Sequence, residues 1–169
     1  GNATTSNFLQ SLKSTHMYNM VDLFVIPMSG SSQDLINAKN TLEMILGMNN
    51  NSKILFVLSR VRNPKRVQFQ YGDFFQDEEL KKYPYIILPE SDCIDLSRKL
   101  KKTVYELAQV EQEKENINQK LLEAFDKNDK NSIYSYSLIL EIFEDSENYK
   151  KEVIDVAHQT LDEVLNGKK

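Results

Sequence analysis

The sequence predicts a mixed α/β fold: a partial three-layer parallel sheet of about three strands, followed by a C-terminal helical segment. Short runs that are apolar at nearly every position recur at 21–27, 54–58 and 85–89. Strands of a parallel sheet, covered on both faces, read this way. An amphipathic stretch of helical period separates the first two runs, a spacing suited to a right-handed parallel crossover. From Asp92 onward the apolar residues recur only at helical spacing.

Taken in order, Thr4 or Thr5 caps a first helix over 7–18, with Phe8, Leu9 and Leu12 on one face. The first strand, 21–27, stops at Pro27. Ser31 and Asp34 have the spacing of a capping box. The helix they open carries Leu35, Ala38, Leu42, Ile45 and Leu46 as its stripe, and Gly47 with the asparagines at 49–51 ends it. The second strand is 54–58. Residues 60–66 are polar and basic, 68–75 read as irregular, and 77–82 as a short helix. The third strand, 85–89, again ends in a proline. Leu96, Leu100, Val104 and Leu107 begin the helical stripes, which Ile117, Leu121, Leu122 and Phe125 continue. Residues 126–131 break them, and helices are expected over 133–143 and 149–165. The expected organisation is an α/β domain over 1–108 and a helical extension over 109–169 packed on it.

Composition narrows the function classes. With 169 residues, the chain has room for one compact domain. Its apolar share of 40% and charged share of 27% are those of a soluble globular protein. No apolar run nears the roughly 20 residues needed to span a bilayer, and residues 2–7 are too polar for a secretory signal. A membrane partner is therefore not expected. The single cysteine, Cys93, excludes an internal disulfide and agrees with a reducing, cytoplasmic location. A net charge of -4 means that any nucleic-acid contact has to come from a local basic patch.

One such patch exists. Arg60, Arg62, Lys65 and Arg66 stand within seven residues at the carboxyl end of the second strand, where ligands bind in open α/β sheets. They are candidates for contact with phosphate, of a nucleotide or of DNA; a solvated loop is the other reading. Residues 126–131 suggest a calcium loop, but Lys130, Asn131 and Ser137 occupy positions that need a ligand, a glycine and a glutamate. A helix-to-helix turn is expected instead. His16 and His158 lack companions at metal-binding spacing, Cys93 has no nearby histidine, and no catalytic residue stands out.

The run Val21-Asp22-Leu23-Phe24-Val25-Ile26-Pro27 resembles a strand of the ParA/MinD family of deviant P-loop ATPases. The serine loop and helix over 31–46, the strand leading into Ser59-Arg60, the Leu88-Pro89-Glu90-Ser91 loop and the Thr103-Val104-Tyr105-Glu106 segment resemble successive features of that family. The similarity covers about residues 2–108, with StbB-like plasmid-stability proteins as the suggested branch. It implies a P-loop/Rossmann-like sheet. It also implies base recognition by Ser59, Arg60, Pro89 and Ser91, with Ser59 in the place of an adenine-reading asparagine, and DNA or phosphate contact through Arg60, Arg62, Lys65 and Arg66.

The family's Walker A pattern, K-G-G-x-G-K-[ST], does not occur; the only Gly-Lys step is Gly167-Lys168. Without the backbone cradle, the lysine and the hydroxyl that organise phosphates and Mg²⁺, phosphoryl transfer has no machinery. The expectation is a C-terminal fragment of a ParA-like ATPase of plasmid or chromosome partition, not itself able to hydrolyse ATP. ATP and Mg²⁺ would belong to the full-length parent, and no cofactor is expected in this chain. The resemblance further implies nonspecific DNA, a partition partner protein and a homo-oligomer. In the family the P-loop strand lies between the first two strands present here, so these either pair directly or the chain self-associates. The alternative is a nucleotide-independent, oligomerising interaction protein on a degenerate ATPase scaffold.

Overall fold

The computed structural model describes residues 2–167, leaving aside the side chains of Asn2, Ala3 and Leu100. The Leu100 position of the helical stripe and Lys168 of the Gly-Lys step thus lie outside the described residues. Two compact units divide the chain: one runs to Glu90 and resumes at Ala157, the other is Ser91–Val156.

The first unit is built on three parallel strands, β1 (Phe24–Met28), β2 (Ile54–Val61) and β3 (Tyr85–Pro89), in the order β1-β2-β3. β1 pairs directly with β2, Phe24 opposite Ile54 and Met28 opposite Leu58, without a gap. Only β2, the central strand, is buried along both faces: Ile54, Leu55, Phe56, Val57 and Leu58 are all covered. The expectation of full burial fails for β1 and β3, where exposed and covered positions mix, because each is an edge strand. Edge position also explains the prolines. Pro89 ends β3 as expected, while Pro27, expected to end the first strand, is followed within β1 by Met28. A residue without an N–H is tolerated where no neighbour requires that donor.

Between β1 and β2 runs α2 (Ser32–Leu46), capped as the sequence predicts by Ser31, whose hydroxyl accepts from the Asp34 N–H at 3.2 Å. Its buried face, Ala38, Leu42 and Ile45, packs with Ile26, Met28, Phe56 and Leu58 in one core. Each large side chain buried there contributes about 1.5–3 kcal/mol relative to an exposed one. α1 (Asn2–Ser14) adds Leu9 to this core. It begins and ends earlier than predicted. The Ser14 and Thr15 hydroxyls donate back to the Ser11 carbonyl, and His16 turns left-handed (φ 57°) before a tight turn at Met17–Met20.

Residues 68–75, read as irregular, form two short helices, α3 (Val67–Gln70) and α4 (Gly72–Gln76). Val67, Tyr71 and Phe74 are buried, and tertiary packing supplies the order that local periodicity lacks. Phe74 meets Phe56 edge-on at 5.3 Å between ring centroids. The short helix expected at 77–82 is reduced to a single tight turn at Leu80–Lys82.

The second unit is helical. α5 (Asp92–Leu100) and α6 (Val104–Leu107) are followed by α7 (Glu111–Asp126) and α8 (Lys130–Tyr149). A Thr103–Glu106 capping box opens α6. The turn at 126–131 joins α7 to α8 as predicted, with Asn128 left-handed and Asp129 capping α8. Phe143, Ser146, Leu107, Ala124 and Cys93 are buried. Rather than two helices over 133–143 and 149–165, α8 runs to Tyr149. It continues through a wide π-helical turn, Lys150–Ile154, into α9 (Asp155–Leu165), which from Ala157 onward is counted with the first unit. Among the described residues, no helix is long and apolar enough to cross a membrane.

Candidate functional site

The carboxyl edge of the sheet gathers three loops of the first unit around a groove of about 680 Å³. Ser29, Gly30 and Ser31 come from the end of β1, Arg60, Arg62, Asn63 and Arg66 from the end of β2, Phe69 and Gln70 from α3, and Glu90 from beyond β3. Three arginines and one glutamate thus share its lining.

Local chemistry fixes these positions. Within β2 the pairing with β3 slips between Ser59 and Val61, and Arg60 at the slip is left-handed (φ 57°). Such a bulge turns the extra residue out of the ladder. A non-glycine residue there is strained by about 1–2 kcal/mol. Gln70 holds the strained segment: its side-chain amide donates to the Arg60 carbonyl at 2.9 Å and accepts from the Arg62 N–H at 3.1 Å. The next residue, Tyr71, points inward and donates its hydroxyl to the carbonyls of Met28, at 3.2 Å, and of Ser59. Burial, with the Asp34 charge adding to it, pushes that phenol up to about 12. It therefore stays neutral and a donor. Asn63 then turns the chain, its side chain accepting from the Lys65 N–H at 3.0 Å.

Across the groove, Gly30 sits so close to α3 that an added Cβ would come 3.0 Å from the Gln70 carbonyl oxygen. Ser29 donates its hydroxyl to the Asp34 carboxylate. This bond first, then the one to Ser31, holds the Asp34 carboxyl below the usual range; partial desolvation opposes them, and Arg60 adds a smaller pull.

Of the residues singled out from sequence, Arg60, Arg62 and Arg66 share the groove. Lys65 is exposed in the same turn but is not part of its wall. Ser59 lies beneath: its hydroxyl donates to the Met28 carbonyl at 2.9 Å, leaving it only acceptor capacity toward any ligand. Pro89 is half-buried at the end of β3. Ser91 belongs to the second unit, where its hydroxyl caps α5 and donates to the Cys93 thiol at 3.0 Å. Burial pushes that thiol up, which keeps it protonated. His16 and His158 are exposed and lie outside the groove lining.

Phe69, Gln70 and Glu90 were missed as site residues. A signal for the first two existed: Val67 and Tyr71 are apolar at i and i+4, the spacing of one helical turn with Phe69 on its opposite side.

The groove's glycine is closed against Gln70, and the Asp34 carboxylate occupies the first turn of α2, beside the amides of that helix end. Among the described residues, no three His, Cys, Asp or Glu side chains are placed together to hold a metal ion. What the groove's lining offers is three arginines, neutral hydrogen-bonding side chains and one carboxylate. Compared with protein-family models, curated proteins and solved structures, the chain matches none.

Proposed function

We propose that the chain is a non-hydrolysing part of a ParA-like ATPase of plasmid or chromosome partition, and that its groove binds nucleic-acid phosphate without reading sequence. The observation that carries this reading is the convergence of Arg60, Arg62 and Arg66 on one groove at the carboxyl edge of a parallel sheet. The left-handed Arg60 supports it, since backbone strain of that kind concentrates at functional sites. On this reading ATP and Mg²⁺ belong to the parent, outside this groove.

A second reading is favoured by the unbroken β1–β2 pairing, which leaves no place for a P-loop strand between them. Here the scaffold is a nucleotide-independent, self-associating interaction protein.

Binding of a labelled random-sequence duplex, followed by fluorescence anisotropy over a range of salt, tests the first reading. Affinity should fall with salt. Replacing Arg60, Arg62 and Arg66 with Ala should flatten the logarithmic slope by about 2.7, at about 0.9 for each phosphate no longer neutralised. An unchanged slope in the triple variant leaves the second reading standing.

A further inference from the structure

The three arginines account for phosphate but not for Phe69. That ring is 90% exposed, the most exposed of the protein's large apolar side chains among the described residues, and it stands in the groove wall beside them. Its exposure is not that of a loose loop. Val67 and Tyr71, two residues to either side, are buried. Gln70 is bonded at both ends of its amide to the Arg60–Arg62 backbone. The helical turn is therefore anchored on one side, and Phe69 is held out on the other.

We infer that the groove takes single-stranded nucleic acid, with a base stacked on Phe69 and the flanking phosphates on Arg60, Arg62 and Arg66. This rests on the phosphate-binding reading and names its substrate class. A duplex keeps its base faces within its own stack, so a protruding ring meets only sugar and phosphate there. A single strand presents a free face at every base, and stacking on an aromatic ring tolerates any sequence. Size agrees: about 680 Å³ lies within the range of small-ligand clefts. That is room for one or two nucleotide units of a strand, while a duplex offers the arginines only its outer phosphates.

The test compares single-stranded DNA and RNA oligonucleotides of about twelve residues, a typical site length, with the matching duplex and with AMP as competitor. Wild-type protein should bind at least one single strand about tenfold or more tighter than the duplex. Phe69→Ala should lose about fivefold or more on the single strand and little on the duplex. Phe69→Tyr should retain binding, and Phe8→Ala, an exposed phenylalanine elsewhere, should change nothing. Because Phe69 is so exposed, loss of folding does not confound the variant. Arginine-dependent binding that ignores Phe69, or AMP competing as well as the strand, overturns the single-strand inference and leaves phosphate binding intact. No binding to single strand or duplex overturns both.

Discussion

Arg60 joins backbone strain and the proposed phosphate contact in one residue. Its left-handed backbone is a conformation glycine adopts freely, while its guanidinium lines the groove. Arg60→Gly should therefore raise folding stability by up to about 1 kcal/mol, the relieved strain being partly offset by glycine's greater unfolded-state entropy. The same change should weaken DNA binding. Denaturant unfolding and anisotropy on that one variant check both halves. Residue chemistry was legible at this level only in part. Four basic residues in 60–66 marked the patch, but nothing in their spacing told that Lys65 would leave the wall while Arg60, Arg62 and Arg66 line it. That division follows from the bulge at Arg60 and the turn at Asn63, both products of strand pairing and local hydrogen bonding. Ser59 illustrates the converse. Its place after the apolar run was readable, but β2 runs on to Val61, and the engagement of its hydroxyl with Met28 depends on β1 and β2 being neighbours.

Among the elements, α3 is the one that organises the groove, and Tyr71 is its anchor to β1 and β2. Tyr71→Phe removes a buried donor from the Ser59 carbonyl, while the Met28 carbonyl keeps the Ser59 hydroxyl, so it should cost about 1 kcal/mol at neutral pH. The phenol also makes stability pH-dependent. Its folded value of about 12 lies above the ordinary 10. The stabilisation is therefore complete below pH 10 and is lost as pH rises toward 12, where the unfolded chain has given up its proton first. Urea unfolding at pH 7 and pH 11 should show a smaller loss for Tyr71→Phe than for wild type. A loss of equal size would mean that other groups carry the alkaline response. Elements with strong periodicity, α2 and β2 above all, were readable because propensity, capping and burial agree. α3 and α4 were not, since Val67, Tyr71 and Phe74 find their partners through tertiary packing. Pro27 misled for a related reason: whether a strand runs on past a proline depends on its place in the sheet.

For the whole molecule, the alternation of strand and helix up to Pro89 and the helical remainder made the mixed α/β class legible. The strand order was not, because direct pairing of β1 with β2 is a choice among topologies that share one sequence pattern. The same holds for the groove, assembled from three loops that are far apart in sequence and meet at one sheet edge. A net charge of -4 makes this local concentration of arginine the feature on which the proposed nucleic-acid binding rests. The most direct measurement is a backbone amide NMR titration of the intact chain with a nucleic-acid oligonucleotide. The account predicts that shifts concentrate at residues 29–31 and 60–70, and that they shrink as salt rises. Shifts clustered instead on the helices of the second unit, or none at oligonucleotide concentrations that saturate other phosphate-binding proteins, would contradict it.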